Sequence, residues 1–351
     1  MEKLNVGILG ATGMVGQRFV QGLMGHPYFN ISCLAASERS EGKTYKEAAK
    51  WYLQGDIPEE IAGMKVAGIS PKIIEEFDLD LVFSSIPSEF AEKVEADFAQ
   101  HIPLFSNTKT YRMIPDVPLV TAEVNPEQLD LIPLQKENRG WEGYIVTNAN
   151  CSTIGLVLPL KPIYDEFGLE WVNVATLQAL SGAGYAGVPS MAIVDNVIPY
   201  IGGEEAKLET ETLKILGKLE GGAIEHADIE VIASCNRVQS MDGHMKNIFC
   251  GTKEDCDAVD IQEILEEFRG VPQELKLPSA PDPVFIVREE PDRPQPRLDR
   301  MAGDGMAITV GPVRKKCEKH FKFTCLSHNT IRGAAGASIL NAELAKAKKF
   351  L

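Results

Sequence analysis

The sequence predicts an α/β protein: a Rossmann-type parallel-sheet dinucleotide-binding domain joined to an α+β domain. Three observations predict it. A glycine-rich turn follows directly on the first apolar run and opens a helix. Short apolar strands alternate with helical segments through the first 150 residues. From Cys151 onward the strands lengthen and are separated by larger insertions, which suits a mixed sheet.

The run Val6-Gly7-Ile8-Leu9 reads as a buried strand, followed by a helix over residues 14–24. A second strand is expected over 31–35, an acidic helical stretch over 71–77, a third strand over 81–85, a helix over 89–100 and a strand over 104–106. This βαβ rhythm implies a parallel sheet with helices on both faces. A long helix is expected over 152–167, kinked at Pro159 and stopped at Gly168. Strands follow at 171–180, 229–237, 247–252, 284–288, 306–313 and 320–327, with loops at 181–190 and 278–296. The Ala-rich segment 331–351 reads as helix. Residues 1–150 with the C-terminal helix 331–351 are therefore expected to form one domain, and 151–330 the other.

Bulk properties set limits. A chain of 351 residues, 44% hydrophobic and 24% charged, is that of an ordinary globular protein with room for two domains. A net charge of -15 argues against nucleic-acid binding, although small anions can still be held by local arginines and helix termini. Seven scattered cysteines suit a reducing compartment. The first strand starts too early for a signal peptide, and no apolar stretch approaches the ~20 residues a membrane span needs. A cytoplasmic address without membrane contact is expected.

Gly10-Ala11-Thr12-Gly13-Met14-Val15-Gly16 has the spacing G-x-x-G-x-x-G, a variant of the dinucleotide fingerprint. Glycines serve the tight turn, the approach of backbone to pyrophosphate and helix–strand packing. Pyrophosphate then rests on the helix N-terminus. Gly10, Thr12, Gly13, Met14, Val15 and Gly16, with Ser85 at the end of the third strand, are the expected cofactor contacts. After the second strand, Ser37, Arg39 and Ser40 form a cradle for a 2′-phosphate, so NADP is expected rather than NAD, with Glu38 turned outward beside Arg39.

Cys151 lies where the polar turn Thr147-Asn148-Ala149-Asn150 gives way to an apolar helical run. A helix N-terminus carries partial positive charge, which favours thiolate, the nucleophilic form. Asn150 can cap that helix or offer its amide to an oxyanion. A reactive thiol beside a nicotinamide points to chemistry between an aldehyde and an acyl group. Cys33, Cys235, Cys250 and Cys325 lie in apolar runs and read as buried hydrophobes. Of six histidines, His244 is the best base: it follows an Asp242-Gly243 turn, with Arg237, a carboxylate-binding guanidinium, seven residues back. His26, His101 and His226 read as exposed. Cys317, His320, Cys325 and His328 are dense, but their strand spacing is wrong for zinc; a reduced pair of buried cysteines is the better reading and no metal is expected. Arg112 follows the strand 104–106 at the carboxyl end of the sheet, where a phosphate contact is reasonable.

The glycine loop, residues 35–42 (AASERSEG), 181–191 (SGAGYAGVPSM), 234–244, 288–300 (REEPDRPQPRLDR) and 328–337 (HNTIRGAAGA) together resemble the aspartate-semialdehyde dehydrogenases of archaea, fungi and some bacteria, over essentially the whole chain. The resemblance implies that Cys151 forms an acyl intermediate and His244 is the general acid/base. It implies that Gln178 orients substrate, Arg237 holds the α-carboxylate, and Glu204 meets the amino group. Lys207, Arg112 and Asn107 would hold phosphate; Ser181, Gly182 and Asn329 would touch the nicotinamide half. The implied reaction is NADPH-dependent reductive dephosphorylation of 4-phospho-L-aspartate by a homodimer or homotetramer. Malonyl-CoA reductase on the same scaffold is the alternative, and a non-catalytic NADP-binding protein a further one. Ala149 stands where the family often has proline. Lys109 and Lys246 stand where small or acidic residues are usual, and add positive charge near the anion site.

Overall fold

The computed structural model describes residues 3–351. Its first sheet contains β1 (Leu4–Leu9), β2 (Phe29–Ala36), β3 (Val66–Gly68), β4 (Leu81–Ser84), β5 (Leu104–Ser106), β6 (Leu119–Val120) and β7 (Ile145–Asn148). All pair in parallel, in the order β3-β2-β1-β4-β5-β7-β6. The chain therefore builds outward in one direction from β1 and then in the other from β4. The gap between these strands is a switch point, where ligands of open α/β sheets bind. Helices α1 (Met14–Leu23), α2 (Ser88–Ala99) and α3 (Ile132–Arg139) accompany it. β3, β6 and β7 were not expected from the sequence: two of them are only two or three residues long, and β7 merges into the polar turn before Cys151.

Helix α4 (Cys151–Phe167) joins this half to the next and stops at Gly168, whose φ of 64° is left-handed. The expected kink at Pro159 does not break it; the helix runs unbroken through Pro159 and Pro162. A helical proline leaves the carbonyl four residues earlier without its donor. For Pro159 that carbonyl belongs to Gly155, and the Cys325 thiol donates to it at 3.3 Å.

The second half contains β8 (Leu169–Gln178), a hairpin of β9 (Lys218–Glu220) and β10 (Ala223–Glu225), β11 (Glu230–Arg237), β12 (His244–Thr252), β13 (Phe285–Val287), β14 (Ile308–Cys317) and β15 (His320–Ser327). Its helices are α5 (Glu204–Ile215) and α6 (Ala258–Glu267). The large sheet has the order β11-β8-β12-β15-β14-β13 and is mixed. The Asp242-Gly243 turn does not close a hairpin: β11 and β12 both pair with β8, which lies between them. That arrangement puts Arg237, Gln178 and His244 side by side at one end of the sheet. α4 packs over the sheet, and apolar residues of both form the largest core.

After a π-helical turn over Ile331–Ala335, helix α7 (Gly336–Ala347) returns to the first sheet and packs on α1. Arg332 in that turn pairs with Glu123 at 2.6 Å, with both side chains buried. His26, expected at the surface, is buried here and bonds Glu343 of α7 at 2.8 Å. The packing of α7 over the end of α1 covers it, a contact more than 300 residues away in sequence. Cys317 is likewise not part of a buried pair; it is exposed, whereas Cys33, Cys235, Cys250 and Cys325 are buried. Among the described residues no cluster could hold a metal ion, and no helix is long and apolar enough to cross a membrane.

Candidate active site

The glycine turn occupies the switch point. Gly10 has φ 84°, and a Cβ there would come within 2.9 Å of the Ser85 carbonyl. A Cβ on Gly16 would overlap the Gly10 carbonyl, so helix α1 can pack this close only on glycine. The α1 N-terminus has Gly13 as its cap residue and no side-chain cap. Its N–H groups are thus left for a ligand. A cavity of about 570 Å³ opens here, lined by Gly10, Thr12, Gly13, Ser37, Glu38, Arg39, Ser85 and neighbouring apolar residues. The cradle fits a dinucleotide. Met14 lines an adjoining cavity of about 170 Å³ together with Ser181, while Val15, Gly16 and Ser40 line neither. Ser40 instead closes a turn onto the Ser37 carbonyl at 2.8 Å.

The turn before α4 is organised by Asn150. Its Oδ1 accepts from the backbone of Ser152 (2.9 Å) and Thr153 (3.4 Å), which caps the helix. Its Nδ2 donates to Glu204 at 2.9 Å, and its backbone N–H donates to Glu211 at 2.7 Å. With its amide committed to Glu204, Asn150 is a cap and tether, and the helix-terminal N–H left over by the cap is that of Cys151 itself. Two further pairs converge on this turn from α5. Glu204 accepts from Lys207 at 2.6 Å, and Glu211 accepts from Arg112 Nη1 at 3.0 Å. Arg112 Nη2 donates to the Asn107 carbonyl at 3.0 Å, and its buried Nε has no partner. Asn107 is itself held by Asn148 at 3.0 Å. Glu211 was invisible to sequence reading, because a glutamate in a charged helix carries no motif.

Cys151 opens α4 and is only partly accessible. Gly333 of the π-turn passes directly over it: a Cβ there would lie 2.7 Å from the Cys151 Cβ. Desolvation pushes the thiol up to about 11 and Glu204 adds to this, while Lys246, Arg112 and Arg237 pull the other way. The expectation that the helix terminus makes it a thiolate is thus opposed in the free protein, because the same packing that places the sulfur also removes its water. Glu204 is itself buried, yet the hydrogen bond and charge of Lys207, with the amides of Asn150 and Gln178, hold its carboxyl below the usual range.

His244 is fully buried at the start of β12. Its Nδ1 accepts from the Ala179 backbone N–H at 3.0 Å. A neutral ring so held carries its proton on Nε2. Burial, with the charges of Lys246, Arg237 and His328 behind it, keeps the imidazole well below its ordinary pKa and therefore neutral. Nε2 has no partner among the described residues, and Gly182 lies beside it: a Cβ there would come within 3.2 Å of Nε2 and 2.9 Å of Arg237 Nη1. Arg237 also donates to the Ala179 carbonyl at 2.7 Å. Gln178 is the β8 partner of Arg237 in register. Asn329 ties the 181 loop down, donating to Ser181 Oγ at 2.8 Å and accepting from the Gly243 N–H at 2.9 Å. Lys109 is exposed. Lys246 is buried beneath His244, and its charge acts on Cys151 from there.

Residues 5–132 match a family described as semialdehyde dehydrogenase, NAD binding domain, and residues 160–332 match semialdehyde dehydrogenase, dimerisation domain. An aspartate-semialdehyde dehydrogenase of Methanothermobacter thermautotrophicus is 53% identical over 343 residues, covering 97% of this chain and 98% of that protein. A malonyl CoA reductase (NADP) of Metallosphaera sedula is 39% identical over 353 residues, covering 99% of this chain and 98% of that one. The crystal structure of aspartate semialdehyde dehydrogenase with NADP from Candida albicans superposes with a TM-score of 0.91 at 41% identity, covering 100% of both chains.

Proposed function

Because the chain belongs to the aspartate-semialdehyde dehydrogenase family, we propose that it reduces 4-phospho-L-aspartate to L-aspartate 4-semialdehyde and phosphate with NADPH. The reaction is reversible, serves aspartate-family amino-acid biosynthesis, and runs through a thioacyl intermediate on Cys151. The observation that carries the site assignment is the position of Asn150, which tethers Glu204 with its amide and Glu211 with its backbone. The ion pairs Glu204–Lys207 and Glu211–Arg112 are thereby fixed to the turn that bears Cys151.

The cofactor is NADP, and its reduced nicotinamide supplies hydride when bound. The glycine turn, the α1 N-terminus and Ser85 would hold the dinucleotide, with Ser37 and Arg39 toward the 2′-phosphate. Met14, Ser181, Gly182 and Asn329 would shape the nicotinamide side. Arg237 holds the substrate α-carboxylate, Glu204 its ammonium group, and Gln178 its orientation. The Cys151 sulfur adds to the acyl carbon; the C–S bond forms, the bond to phosphate breaks, and phosphate departs to Arg112, Lys207 and Asn107. The N–H of Cys151 donates to the oxyanion of this step. When hydride reaches the thioester carbonyl, His244 Nε2–H donates to the new oxyanion. Cleavage of the C–S bond then releases the aldehyde and returns the sulfur as thiolate.

Residues 1–150 with 331–351 make up the cofactor half, and 151–330 the catalytic and dimerisation half. The chain works as an oligomer, which we read as a homodimer or homotetramer. Ile232 of β11 and Phe249 of β12 lie exposed on the large sheet, apolar side chains suited to a partner subunit. Retention of an α-carboxylate anchor at Arg237 and an ammonium anchor at Glu204 favours the amino-acid substrate over malonyl-CoA. A non-catalytic NADP-binding protein would have no use for two ion pairs on one cysteine turn. The test is NADPH formation with L-aspartate semialdehyde plus phosphate, against malonate semialdehyde plus coenzyme A. Turnover with only the first pair is expected; turnover with only the second would replace this reading.

A further inference from the structure

Lys246 of β12 is fully buried, and among the described residues no carboxylate lies within 4.0 Å of its ammonium group. A buried lysine without an acid partner is costly and needs a reason. Its Nζ donates to Ser327 Oγ at 2.7 Å and to the His244 carbonyl at 3.2 Å. The space it fills is made by Gly155: a Cβ on that residue would overlap both Lys246 Nζ and Ser327 Oγ. Gly155 is four residues beyond Cys151 in α4. Side chains at this spacing share one helix face, with Cβ positions about 5–6 Å apart. The ammonium group therefore occupies the side-chain position one turn beneath the candidate nucleophile.

A second observation shows what such a charge is for. His244 holds its neutral ring with Nδ1 accepting from Ala179, so Nε2 carries the proton and has no lone pair for the thiol proton. The ring can donate to an oxygen, but in this form it cannot deprotonate the sulfur. Thiolate must then be stabilised by fixed charge while its proton leaves to solvent. The groups facing Cys151 are Glu204 from α5, which opposes ionisation, and Arg112, Arg237 and Lys246, which favour it. Arg112 is paired with Glu211 and assigned to phosphate, and Arg237 is assigned to a carboxylate. Burial lowers the pKa of Lys246, and Cys151 and Cys325, its partner across the β12–β15 ladder, act in the opposite sense; the Cys325 thiol is turned to the Gly155 carbonyl.

We propose that Lys246 is a positioning residue that supplies, from beneath the first turn of α4, positive charge against which the Cys151 sulfur ionises. The proposal rests on the reading of Cys151 as nucleophile and deepens it. An acidic side chain at this position would act in the opposite sense. Ser327 and the Gly155 vacancy hold the ammonium group in place, so both belong to the same device.

The test is the rate at which iodoacetamide alkylates Cys151 in the full-length protein from pH 6 to 10, followed by mass analysis of the peptide bearing that residue. Lys246→Met keeps the volume and removes the charge. An opposite charge about this far away shifts a thiol by at least a pH unit. Alkylation of the variant at pH 7 should be about tenfold slower, and the deficit should persist up to pH 10, because the parent thiol itself ionises only near about 11. A general loss of structure would instead expose the partly buried thiol and make its alkylation faster, not slower. Gly155→Ala, which evicts the ammonium group, should shift the profile in the same direction. If Lys246→Met does not fold, Ser327→Ala carries the same expectation with a smaller shift. Superimposable pH profiles for the folded variants and the parent would overturn the proposal. Cys151→Ala separates the two readings: retained turnover in that variant would overturn the nucleophile assignment whatever Lys246→Met does.

Discussion

Arg112 and Glu211 form an ion pair of 3.0 Å on side chains that are 8% and 3% exposed. The second oxygen of the same carboxylate accepts the backbone N–H of Asn150, immediately before Cys151. A phosphate-binding guanidinium and the nucleophile turn thus share one anchor. Removing one member of a buried pair leaves the other charge uncompensated and typically costs about 3–5 kcal/mol. Glu211→Ala should therefore lose about 3 kcal/mol in denaturant unfolding. In the folded fraction the KM for phosphate, measured in the aldehyde-oxidising direction, should rise at least tenfold. A variant with unchanged phosphate KM would show that Glu211 serves stability alone.

Gly333 passes directly over the nucleophile. Even one added methyl, in Gly333→Ala, would sit 2.7 Å from the Cys151 Cβ and 3.0 Å from its Cα. Since both contacts are to atoms fixed by the helix, the side chain must move off its position. Misplacement of reacting atoms by about an ångström can cost ~100-fold in rate. Turnover should fall by that order, while NADPH affinity, measured by fluorescence titration, stays within twofold because the glycine turn of α1 is untouched.

The neutral ring of His244 makes a statement about pH. Burial and the neighbouring cations keep it far below its ordinary pKa, so it does not gain a second proton as pH falls from 8 to 6. Loss of kcat across that range should therefore not titrate with this residue. His244→Ala should lower kcat by roughly 10²–10⁴, the usual contribution of a positioned acid, and should leave the shape of the profile between pH 6 and 8 as it was. Disappearance of an acidic limb in that variant would contradict the neutral-ring assignment.

His328 gives a measurable stability effect. Burial, opposed by Asp242 and assisted by Arg18 and Arg300, lowers it from 6.5 to about 4. The folded pKa lies below the unfolded one, so the unfolded chain takes up the proton first as pH falls. The neutral ring's contribution is complete above about pH 6.5 and is lost progressively down to about pH 4. At 1.36 kcal/mol per pH unit this amounts to about 3 kcal/mol. His328→Asn keeps an acceptor for the Thr330 and Ile331 N–H groups that Nδ1 now serves. The difference in unfolding free energy between parent and variant should shift by about 2.5 kcal/mol in the variant's favour between pH 7 and pH 4.5. A constant difference would sink the assignment.

Much of the architecture was legible because it is written locally. Strand β1, the glycine turn and helix α1 are contiguous, and the turn needs glycines for reasons that act within seven residues. The long strands of the second sheet, eight to ten residues each, declared themselves by strand-like runs of β-branched and aromatic residues, whereas β3 and β6, with three and two residues, carried too little pattern. Cys151 and its cap Asn150 were recognisable because a cap motif and a helix start adjoin in the chain.

Other features were settled by distance in the fold rather than distance in the sequence. Glu211 matters because α5 lays it against a turn 61 residues earlier. His26 is buried because α7 returns over it, and Lys246 is buried because α4 offers a glycine at the one place where its ammonium group fits. The amino-acid sequence by itself determined the residue types available for chemistry, the cofactor turn and the helix on which the thiol sits, since these depend on backbone propensity and short-range hydrogen bonding. Only the tertiary structure decided which charges face the sulfur, which nitrogen of His244 holds its proton, and which polar groups lose their water. Those are electrostatic and desolvation effects, and they are set by groups that packing brings together from different elements.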